Sequence, residues 1–341
     1  MTLQEHDSII RTGAAIGAIA PRRQIAVAGK DHATYLHGLL TNDIQGLTPG
    51  TGCYAAWLTP QGRMLTDMHV LESGTMILLD VPAETVDATL ARLDQFVFTE
   101  DVRLESLAET LSGIWVHGPR AAEAIERVVN GPSKTAPMMA AAAPLVTWHQ
   151  YQHATFQFGD DAVSIARIDQ LGVPGYCMYV ARDHEAALLS ALGSAGAVVV
   201  LPEAIDAARI EAGYPVFGID MTDDTIPLEA GIEDRAISMT KGCYVGQEVI
   251  IRVLHRGHGR VARKLVCLRI DGTLPLRGAR LFVNDRDAGS ITSAALSPRV
   301  GAIALGYVHR DFVSAGSQIS VETPDGAATA VVTERLIPST P

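Results

Sequence analysis

The sequence predicts an α+β fold that ends in a small all-β unit. Up to about residue 256, short alternating segments that suit strands are interleaved with segments of helical spacing. Beyond that point helical periodicity disappears, and alternating segments are separated by Gly, Pro, Asn and Asp turns, a pattern typical of a small barrel. With 341 residues, 48% of them hydrophobic, the chain has enough apolar material for two or three packing units.

Local patterns give the individual elements. Asp31 is a plausible N-cap for a helix, and Gly213 is a natural C-cap glycine for another. The predicted strands are 23–29, 64–70, 75–81 and 111–116. The predicted helices are 32–40, 83–96, 121–129, 185–192 and 202–212. In the all-β part the strand segments are 263–270, 280–283, 289–292 and 318–321.

The change of pattern near Gly257 divides the chain into an α+β region of residues 1–256 and a β-barrel of residues 257–341. The compositionally simple stretch Pro137–Pro144 separates two subdomains of the first region, either as an exposed linker or as a short helix.

Charge and cysteine usage exclude several classes of protein. A formal net charge of −11 argues against nonspecific nucleic-acid binding. None of the four cysteines lies in a CxxC pair, and their spacing fits no zinc or ferredoxin motif. We therefore expect that the chain has no metal site and that its thiols are reduced, in the cytoplasm.

The apolar run Gly13–Ala20 is too short for a signal peptide, and too few basic residues precede it. No run of about 18 apolar residues predicts a membrane span. The helices show no obvious stripe for dimerisation, so we expect a monomer.

Two segments carry candidate carboxylates. Asp67 lies on the strand that follows the Pro-Gln-Gly turn, either as a functional group or as a surface residue at a strand end. Arg209 and Glu211 lie near the C-terminus of the helix that starts at Pro202, two positions apart and therefore not on one helical face. A glutamate is unfavourable at that end of a helix dipole, so Glu211 has a function there or is a tolerated surface charge.

An acidic loop over 220–234 precedes a basic segment over 241–269. The acidic spacing does not follow the EF-hand pattern, which favours a solvated loop over a cation site. The basic segment suits an anionic ligand or pairs with the acidic loop. Its cations are Lys241, Arg252, Arg256, Arg260, Arg263, Lys264 and Arg269.

The stretch KGCYVGQE, residues 241–248, is the most specific motif of the chain. Gly242 and Gly246 bracket Cys243 and allow tight turns, and Lys241 stands two residues before the thiol. A nearby cation favours the thiolate, which is the reactive and metal-binding form, whereas inert burial is the usual state of a free cysteine. The flanking glycines and charges favour an accessible thiol here.

These motifs resemble the YgfZ-type folate-binding proteins, relatives of the glycine-cleavage T-protein. The likeness spans about residues 23–260 and rests on VAGKDHATYLHGLLTNDI, LTPQGRMLTDMHV, ARIEAGYPVFGID, TIPLEAG and KGCYVGQE. The T-protein branch shares the RxEAG and TxPxE elements but lacks the cysteine motif. The resemblance implies an aminomethyltransferase (GcvT)-like fold in which folate occupies a central channel and the chain ends in a small barrel.

The resemblance also assigns roles. Cys243 is the reactive residue, and the cofactor is tetrahydrofolate or a derivative. Asp67 lies near the reactive folate nitrogen, with Thr66 where T-proteins have a second acid, and Glu211 holds the pterin ring, which it can do by accepting hydrogen bonds. Folate-binding residues on this basis are Asp67, Arg209, Glu211, Lys241, Tyr244, Gln247 and Arg252. The basic segment suits a folate polyglutamate tail.

The implied function is support of assembly or repair of iron–sulfur proteins, with those proteins or assembly factors as partners and no direct contact with nucleic acid or membrane. Without a four-cysteine ligand set, the chain is expected to be a helper and not a cluster scaffold or a typical enzyme. The first alternative is a tetrahydrofolate-dependent aminomethyltransferase or demethylase, disfavoured by Thr66. The second is an accessory factor in tRNA modification.

Overall fold

A computed structural model describes residues 1–132, 143–256 and 260–333, and shows two open sheets with flanking helices followed by a closed six-stranded barrel. The helices are α1 (Leu3–Thr12), α2 (His32–Leu39), α3 (Val86–Asp94), α4 (Ala121–Glu126), α5 (Glu185–Ser194), α6 (Pro202–Glu211), α7 (Pro227–Ala230), α8 (Glu233–Ala236) and α9 (Gln247–Ile251). The strands are β1 (Ala15–Ile16), β2 (Arg22–Ala28), β3 (Thr51–Leu58), β4 (Met64–Glu72), β5 (Met76–Pro82), β6 (Arg103–Ser106), β7 (Leu111–His117), β8 (Asn130–Pro132), β9 (His153–Phe158), β10 (Asp161–Arg167), β11 (Gly175–Ala181), β12 (Val198–Val199), β13 (Arg263–Asp271), β14 (Arg280–Val283), β15 (Arg286–Ser297), β16 (Gly301–His309), β17 (Gln318–Thr323) and β18 (Gly326–Thr333). The predicted α+β fold with a terminal barrel is therefore confirmed.

The first sheet has the strand order β3-β4-β5-β2-β6 and buries both of its faces. One face packs against α2 and α3 around Leu36, Trp57 and Met68. The other face packs on the second sheet, where Tyr54 and Leu71 meet side chains of β7, β10 and β11. A polar residue that points from β4 towards the second sheet is therefore enclosed between two sheets.

The second sheet has the order β12-β1-β7-β11-β10-β9-β8 and is covered on its far side by α4 and α5. Its strands carry apolar side chains on both faces, as expected for a sheet between two layers. The two sheets stand back to back, so that Trp115 of β7 contributes to the core shared with the first sheet.

Helix α6 joins this body to the barrel, whose strand order is β13-β16-β15-β14-β17-β18. Ala207 and Ile210 of the helix pack on Ile303 and Leu305 of the barrel. The barrel thus covers one side of the helix, in addition to closing its own core around residues such as Leu268 and Ile319.

The predicted elements are present, with differences at their ends, of which the largest is that the predicted strand 289–292 is the central part of β15. The segment predicted as a helix over 83–96 begins with a 3₁₀ turn over 83–85 and ends as α3 at Asp94. The interpretation of Arg209 and Glu211 as surface charges is wrong, because both are at most 1% exposed.

Most of the Pro137–Pro144 segment and the boundary residue Gly257 lie outside the described residues. No helix in the described ranges combines the length and the apolar character needed to cross a membrane.

His117 is a buried group that makes stability depend on pH. Its Nε2 atom lies 3.0 Å from the Gly17 carbonyl oxygen, and its Nδ1 atom has no hydrogen-bond partner among the described residues. Burial lowers the pKa of His117 to about 4 from an ordinary value of 6.5. The folded chain therefore binds fewer protons than the unfolded chain between these two values, and the stability present above pH 6.5 is lost as the pH falls towards 4.

We expect His117→Gln to flatten this dependence. Between pH 7 and pH 4, the free energy of unfolding of both proteins should decrease, as measured by urea titration. The decrease should be about 3 kcal/mol smaller for His117→Gln than for the wild type. His149 is exposed, and His149→Gln should leave the slope unchanged. Equal slopes for the His117 variant and the wild type would contradict the prediction.

Candidate functional site

Asp67 is the central carboxylate of the enclosed layer between the two sheets. It lies in the middle of β4, is 3% exposed, and accepts hydrogen bonds from the Tyr54 hydroxyl at 2.7 Å and from Arg22 Nη1 at 3.1 Å. The sequence alternative of a surface carboxylate at a strand end is therefore wrong. A buried carboxylate needs such donors, because desolvation of an unpaired charge is costly.

Arg22 links Asp67 to a second buried carboxylate. Its Nε atom donates to Asp80 Oδ2 at 3.0 Å, and its Nη2 atom donates to the Asp80 carbonyl oxygen at 2.5 Å. Asp80 also accepts from Gln24 at 2.9 Å and lies 3.0 Å from His69 Nδ1. These residues form a continuous buried network, in which the guanidinium fork fixes the two carboxylates relative to each other.

The protonation states of this network follow from burial and charge. Burial tends to raise the pKa of Asp80, but Arg22, His69 and Gln24 outweigh it and hold that pKa below its ordinary value. Burial, followed by the Arg22 charge, lowers the pKa of His69. At neutral pH the network therefore contains an ionised Asp80 and a neutral His69 that donates from Nδ1.

A small cavity of about 20 Å³ lies beside Asp67. Polar groups meet aromatic rings along its wall, as is usual for small-molecule sites. The lining includes Arg22, Asp67, Trp115, Gln170, Tyr214 and Phe217. Gln170 Nε2 donates to the Tyr214 hydroxyl at 3.4 Å. The site can thus offer hydrogen-bond acceptors and donors beside flat apolar surfaces.

Arg235 adds a second cation behind the same wall. Its guanidinium carbon lies 4.7 Å from the ring centroid of Tyr54 and 4.1 Å from that of Tyr214. Burial tends to lower the pKa of Arg235, but the neighbouring tyrosines and Asp67 outweigh it and raise that pKa, so the group is a cation. No sequence pattern marked Arg22, Gln170, Tyr214 or Arg235 as site residues. The available signal was that Arg235 is a basic residue directly after the acidic loop over 220–234.

KGCYVGQE is fixed to the first sheet and its helix. Lys241 Nζ donates to the carbonyl oxygens of His37, Leu40 and Asn42 at 2.5, 2.6 and 3.0 Å, and so caps the C-terminus of α2. Burial lowers the pKa of Lys241 to about 8, and the same ammonium lies 5.1 Å from the Tyr244 ring centroid. Lys241 therefore joins the motif to HGLLTND, a stretch distant in sequence.

The glycines of the motif make the contact with the LTPQGR turn. Gly246 has φ +86°, and a Cβ atom there would lie 2.6 Å from the Thr59 carbonyl oxygen. Gly62 has φ +76°, and its Cβ would lie 2.9 Å from Val249 Cβ. Three sequence motifs therefore meet at one place, and glycine is required where their backbones approach.

We expect Gly246→Ala to lower the free energy of unfolding by at least about 2 kcal/mol, because a left-handed conformation and a backbone clash act together. Gly242→Ala is the matched control within the same motif. A Cβ on Gly242 meets nothing within 4 Å, so that substitution should change stability by no more than about 0.5 kcal/mol. Urea unfolding of both variants checks the prediction, and equal effects would contradict it.

The other predicted site residues are distributed over two places. Cys243 is exposed, as its flanking residues predicted, and lies apart from the cavity lining. Tyr244 is buried, Gln247 begins α9, and Arg252 is exposed at the start of a π-helical turn over 252–256. Tyr244 packs in the core shared by the two sheets, and none of these residues lines the cavity beside Asp67.

Arg209 and Glu211 connect α6 to its surroundings. Arg209 donates to Asp220 Oδ2 and to the Ser293 hydroxyl, both at 2.8 Å. Glu211 accepts from Arg11 Nη2 at 2.7 Å and from the Ser297 hydroxyl. Neither lines the cavity beside Asp67. Their contacts hold the barrel and α1 against the helix.

The acidic loop and the basic segment are partly paired with each other. Arg263 Nε lies 3.2 Å from Glu229, and Asp220 is buried against Arg209, so the loop is not simply solvated. Within the described ranges no group of three or more His, Cys, Asp or Glu residues is arranged to hold a metal ion.

Comparison with known proteins gives matches over nearly the whole chain. The model of the GCVT N-terminal domain matches residues 1–241, and that of the glycine cleavage T-protein C-terminal barrel domain matches residues 263–337. The aminomethyltransferase of Bacillus subtilis (strain 168) is 26% identical over 332 residues, covering 94% of this chain and 86% of its own. That of Corynebacterium jeikeium (strain K411) is 27% identical over 328 residues, with 92% and 83% covered.

A solved structure has the same fold. The glycine cleavage system aminomethyltransferase T from Bartonella henselae superposes with a TM-score of 0.84, at 23% identity, over 99% of this chain and 90% of its own. At this identity the match concerns the fold, including the layered sheets and the terminal barrel.

Proposed function

Because the chain belongs to the family defined by the GCVT N-terminal domain and the glycine cleavage T-protein barrel, we propose that it binds a tetrahydrofolate in the cavity beside Asp67. The observation that carries this proposal is the buried Asp67 carboxylate, held by Arg22 and Tyr54 at the wall of a cavity between two sheets.

The residues of the cavity suit a reduced pterin. Asp67 can accept hydrogen bonds from ring N–H and amino groups, Arg22 can donate to the ring carbonyl, and Gln170 can do both. Trp115 and Phe217 supply flat apolar surface for the ring. The cavity of about 20 Å³ is smaller than usual small-molecule sites, so binding of the ring system would require the wall at Tyr214 and Phe217 to move, with the remainder of the folate extending outward.

The first candidate activity is transfer of an aminomethyl carbon, the activity named for the curated relatives. When bound, tetrahydrofolate would supply the two nitrogen atoms to which the carbon becomes bonded. The carbon's bonds to its amine nitrogen and to the donor group would break, and the amine would leave as ammonia and the donor group in its protonated form. Asp67 would orient the nearer nitrogen, and Arg22 keeps that carboxylate aligned. The enclosing sheets would limit the access of water.

Thr66 bears on how such a transfer would proceed. Its hydroxyl lies 2.9 Å from the Thr85 hydroxyl and is fully buried. Among the described residues that line the cavity, Asp67 is therefore the acidic side chain, and no second acid lies beside it. We propose that this single carboxylate orients folate and that the proton for the leaving group is supplied by a group other than an acid of the cavity lining.

The second candidate activity is that of the YgfZ-type branch, support of iron–sulfur proteins. The specific observation in its favour is the exposed Cys243 on a turn that is anchored by Lys241 and shaped by Gly246. One thiol cannot hold a cluster alone, so the cluster would be cargo shared with a client protein or a small thiol.

Folate binding is tested by titrating tetrahydrofolate under anaerobic conditions and following tryptophan fluorescence together with calorimetry. Trp115 lines the cavity, whereas Trp57 belongs to the core of the first sheet. We expect saturable quenching that Trp115→Phe removes while calorimetric binding persists. Absence of calorimetric binding in the wild type would refute the proposal.

The two activities are separated by the cysteine. In a bacterial strain that lacks its own protein of this type, Cys243→Ala should fail to restore cluster-containing enzymes but should still bind tetrahydrofolate. Cys53→Ala is the control, because burial raises the pKa of the Cys53 thiol to about 12 and makes it unreactive. Full restoration by Cys243→Ala, together with methylene transfer by the pure protein, would leave the transferase as the function.

A further inference from the structure

The cavity beside Asp67 is too small for the ligand that its residues suit. Its volume of about 20 Å³ leaves room for about one water molecule, whereas small-molecule sites usually measure about 300–1,000 Å³. A pterin ring therefore enters only after part of the wall has moved. The side chain that moves is the one whose displacement costs least in packing and in hydrogen bonds.

The wall at Tyr214 and Phe217 contains one side chain that can move at low cost. Phe217 is 8% exposed and packs in the core that the two sheets share, and its backbone forms a bridge with Met221. Tyr214 is only partly buried, so its ring can turn towards solvent. Displacing Phe217 disturbs packed hydrocarbon, which is costly. The larger part of the movement therefore falls to Tyr214.

The backbone of Tyr214 is fixed, although its side chain is held weakly. The Tyr214 N–H donates to the Arg209 carbonyl oxygen at 2.8 Å, and Arg209 Nη1 donates to the Tyr214 carbonyl oxygen at 3.2 Å. Arg209 is 1% exposed and is itself paired with Asp220. Gln170 Nε2 donates to the Tyr214 hydroxyl at 3.4 Å, which is long for a hydrogen bond. A rotation of the side chain therefore opens the wall without moving the main chain.

Arg235 holds the Tyr214 ring in the closed position. Its guanidinium carbon lies 4.1 Å from the centroid of that ring and 4.7 Å from the centroid of the Tyr54 ring. The Arg235 carbonyl oxygen accepts from Asn42 Nδ2 at 3.0 Å, so the residue that holds the ring is itself anchored. One cation–π contact corresponds to a preference of about two-fold to thirty-fold for the closed position. A ligand can overcome a preference of that size.

We propose that Tyr214 is the gate of the folate site. Its ring leaves Arg235 and turns outward, and the pterin then enters beside Asp67. Arg235 and Arg209 are positioning residues that act through Tyr214, the first by holding the ring and the second by fixing its backbone. This inference rests on the proposed folate site. A side-chain rotation is fast, so the closed fraction reduces the apparent association rate in proportion.

The gate is measured by stopped-flow mixing with tetrahydrofolate, followed through the fluorescence of Trp115. The slope of the observed rate against tetrahydrofolate concentration should rise about ten-fold in Tyr214→Ala and about three-fold in Arg235→Met. The dissociation rate should stay within about two-fold of the wild type in both. Arg103 is exposed, and Arg103→Met is the matched control that should change neither rate. A change confined to the dissociation rate would assign Tyr214 to ligand contact and overturn the gate.

Access to the cavity is also measured without folate, through quenching of Trp115 fluorescence by acrylamide. Comparing each protein with its Trp115→Phe counterpart isolates the signal of that residue. Tyr214→Ala should raise the quenching constant of Trp115 at least about two-fold, and Arg103→Met should leave it unchanged. Equal quenching in Tyr214→Ala and the wild type would overturn the inference. Failure of the wild type to bind tetrahydrofolate would instead refute the folate site, while the quenching measurement still judges the gate.

Discussion

Tetrahydrofolate affinity is expected to fall about 100-fold when Asp67 is replaced by asparagine. The carboxylate is the charged acceptor of the cavity wall, and a hydrogen bond to a charged group contributes about 1.5–3 kcal/mol. The amide is nearly the same size, so the cavity keeps its shape while it loses the charge. Calorimetric titration of the variant gives the change directly.

Two controls accompany this measurement. Tyr54→Phe removes one of the donors to Asp67 and should weaken binding by much less, since Arg22 still holds the carboxylate. Asp223 is exposed, and Asp223→Asn should bind folate as the wild type does. Unchanged affinity in Asp67→Asn would remove Asp67 from the site.

The largest loss of stability is expected for Asp80→Ala. Asp80 is fully buried and is contacted by Arg22, Gln24 and His69. Its removal leaves the Arg22 charge with fewer partners in a desolvated layer, and such losses cost about 3–5 kcal/mol. Urea unfolding at pH 7 measures the effect, with Asp223→Ala expected to stay within about 0.5 kcal/mol of the wild type.

The pH dependence of this loss has a defined sign. The pKa of Asp80 is held below its ordinary value of 3.8, so its contribution to stability is present above that value and declines as the pH falls through the folded pKa. The difference between wild type and Asp80→Ala should therefore be constant from pH 7 to about 5 and shrink in stronger acid. A difference that grows on acidification would contradict the assignment.

Periodicity predicted eight of the eighteen strands and five of the nine α-helices in the described residues, because those patterns are local. Strands such as β3, β11 and β16 were not predicted. The motif glycines were likewise recognisable, since a left-handed residue such as Gly246 depends on its own backbone. The burial of Asp67 was not predictable in this way. Its partner Arg22 lies 45 positions earlier on another strand, and no pattern within β4 contains that pairing.

Arg209 and Glu211 show the same limit more sharply. Their spacing on an isolated helix suggests unpaired surface charges, but the barrel supplies the hydroxyls of Ser293 and Ser297 from more than 80 positions away. The family resemblance gave the fold correctly, because the likeness extends over the whole layered arrangement. Its assignment of Glu211 to the pterin stays a prediction; the contacts of that side chain in the structure are with Arg11 and the barrel.

The two contacts between α6 and β15 limit how the gene could recombine. Arg209 and Glu211 need hydroxyl groups at positions 293 and 297, four residues apart on one strand. A barrel transplanted from a relative with apolar residues there would bury a guanidinium and a carboxylate against hydrocarbon. Exchange of the C-terminal unit at the change of pattern near residue 257 is therefore expected to give insoluble chimeras unless both serines travel with their partners.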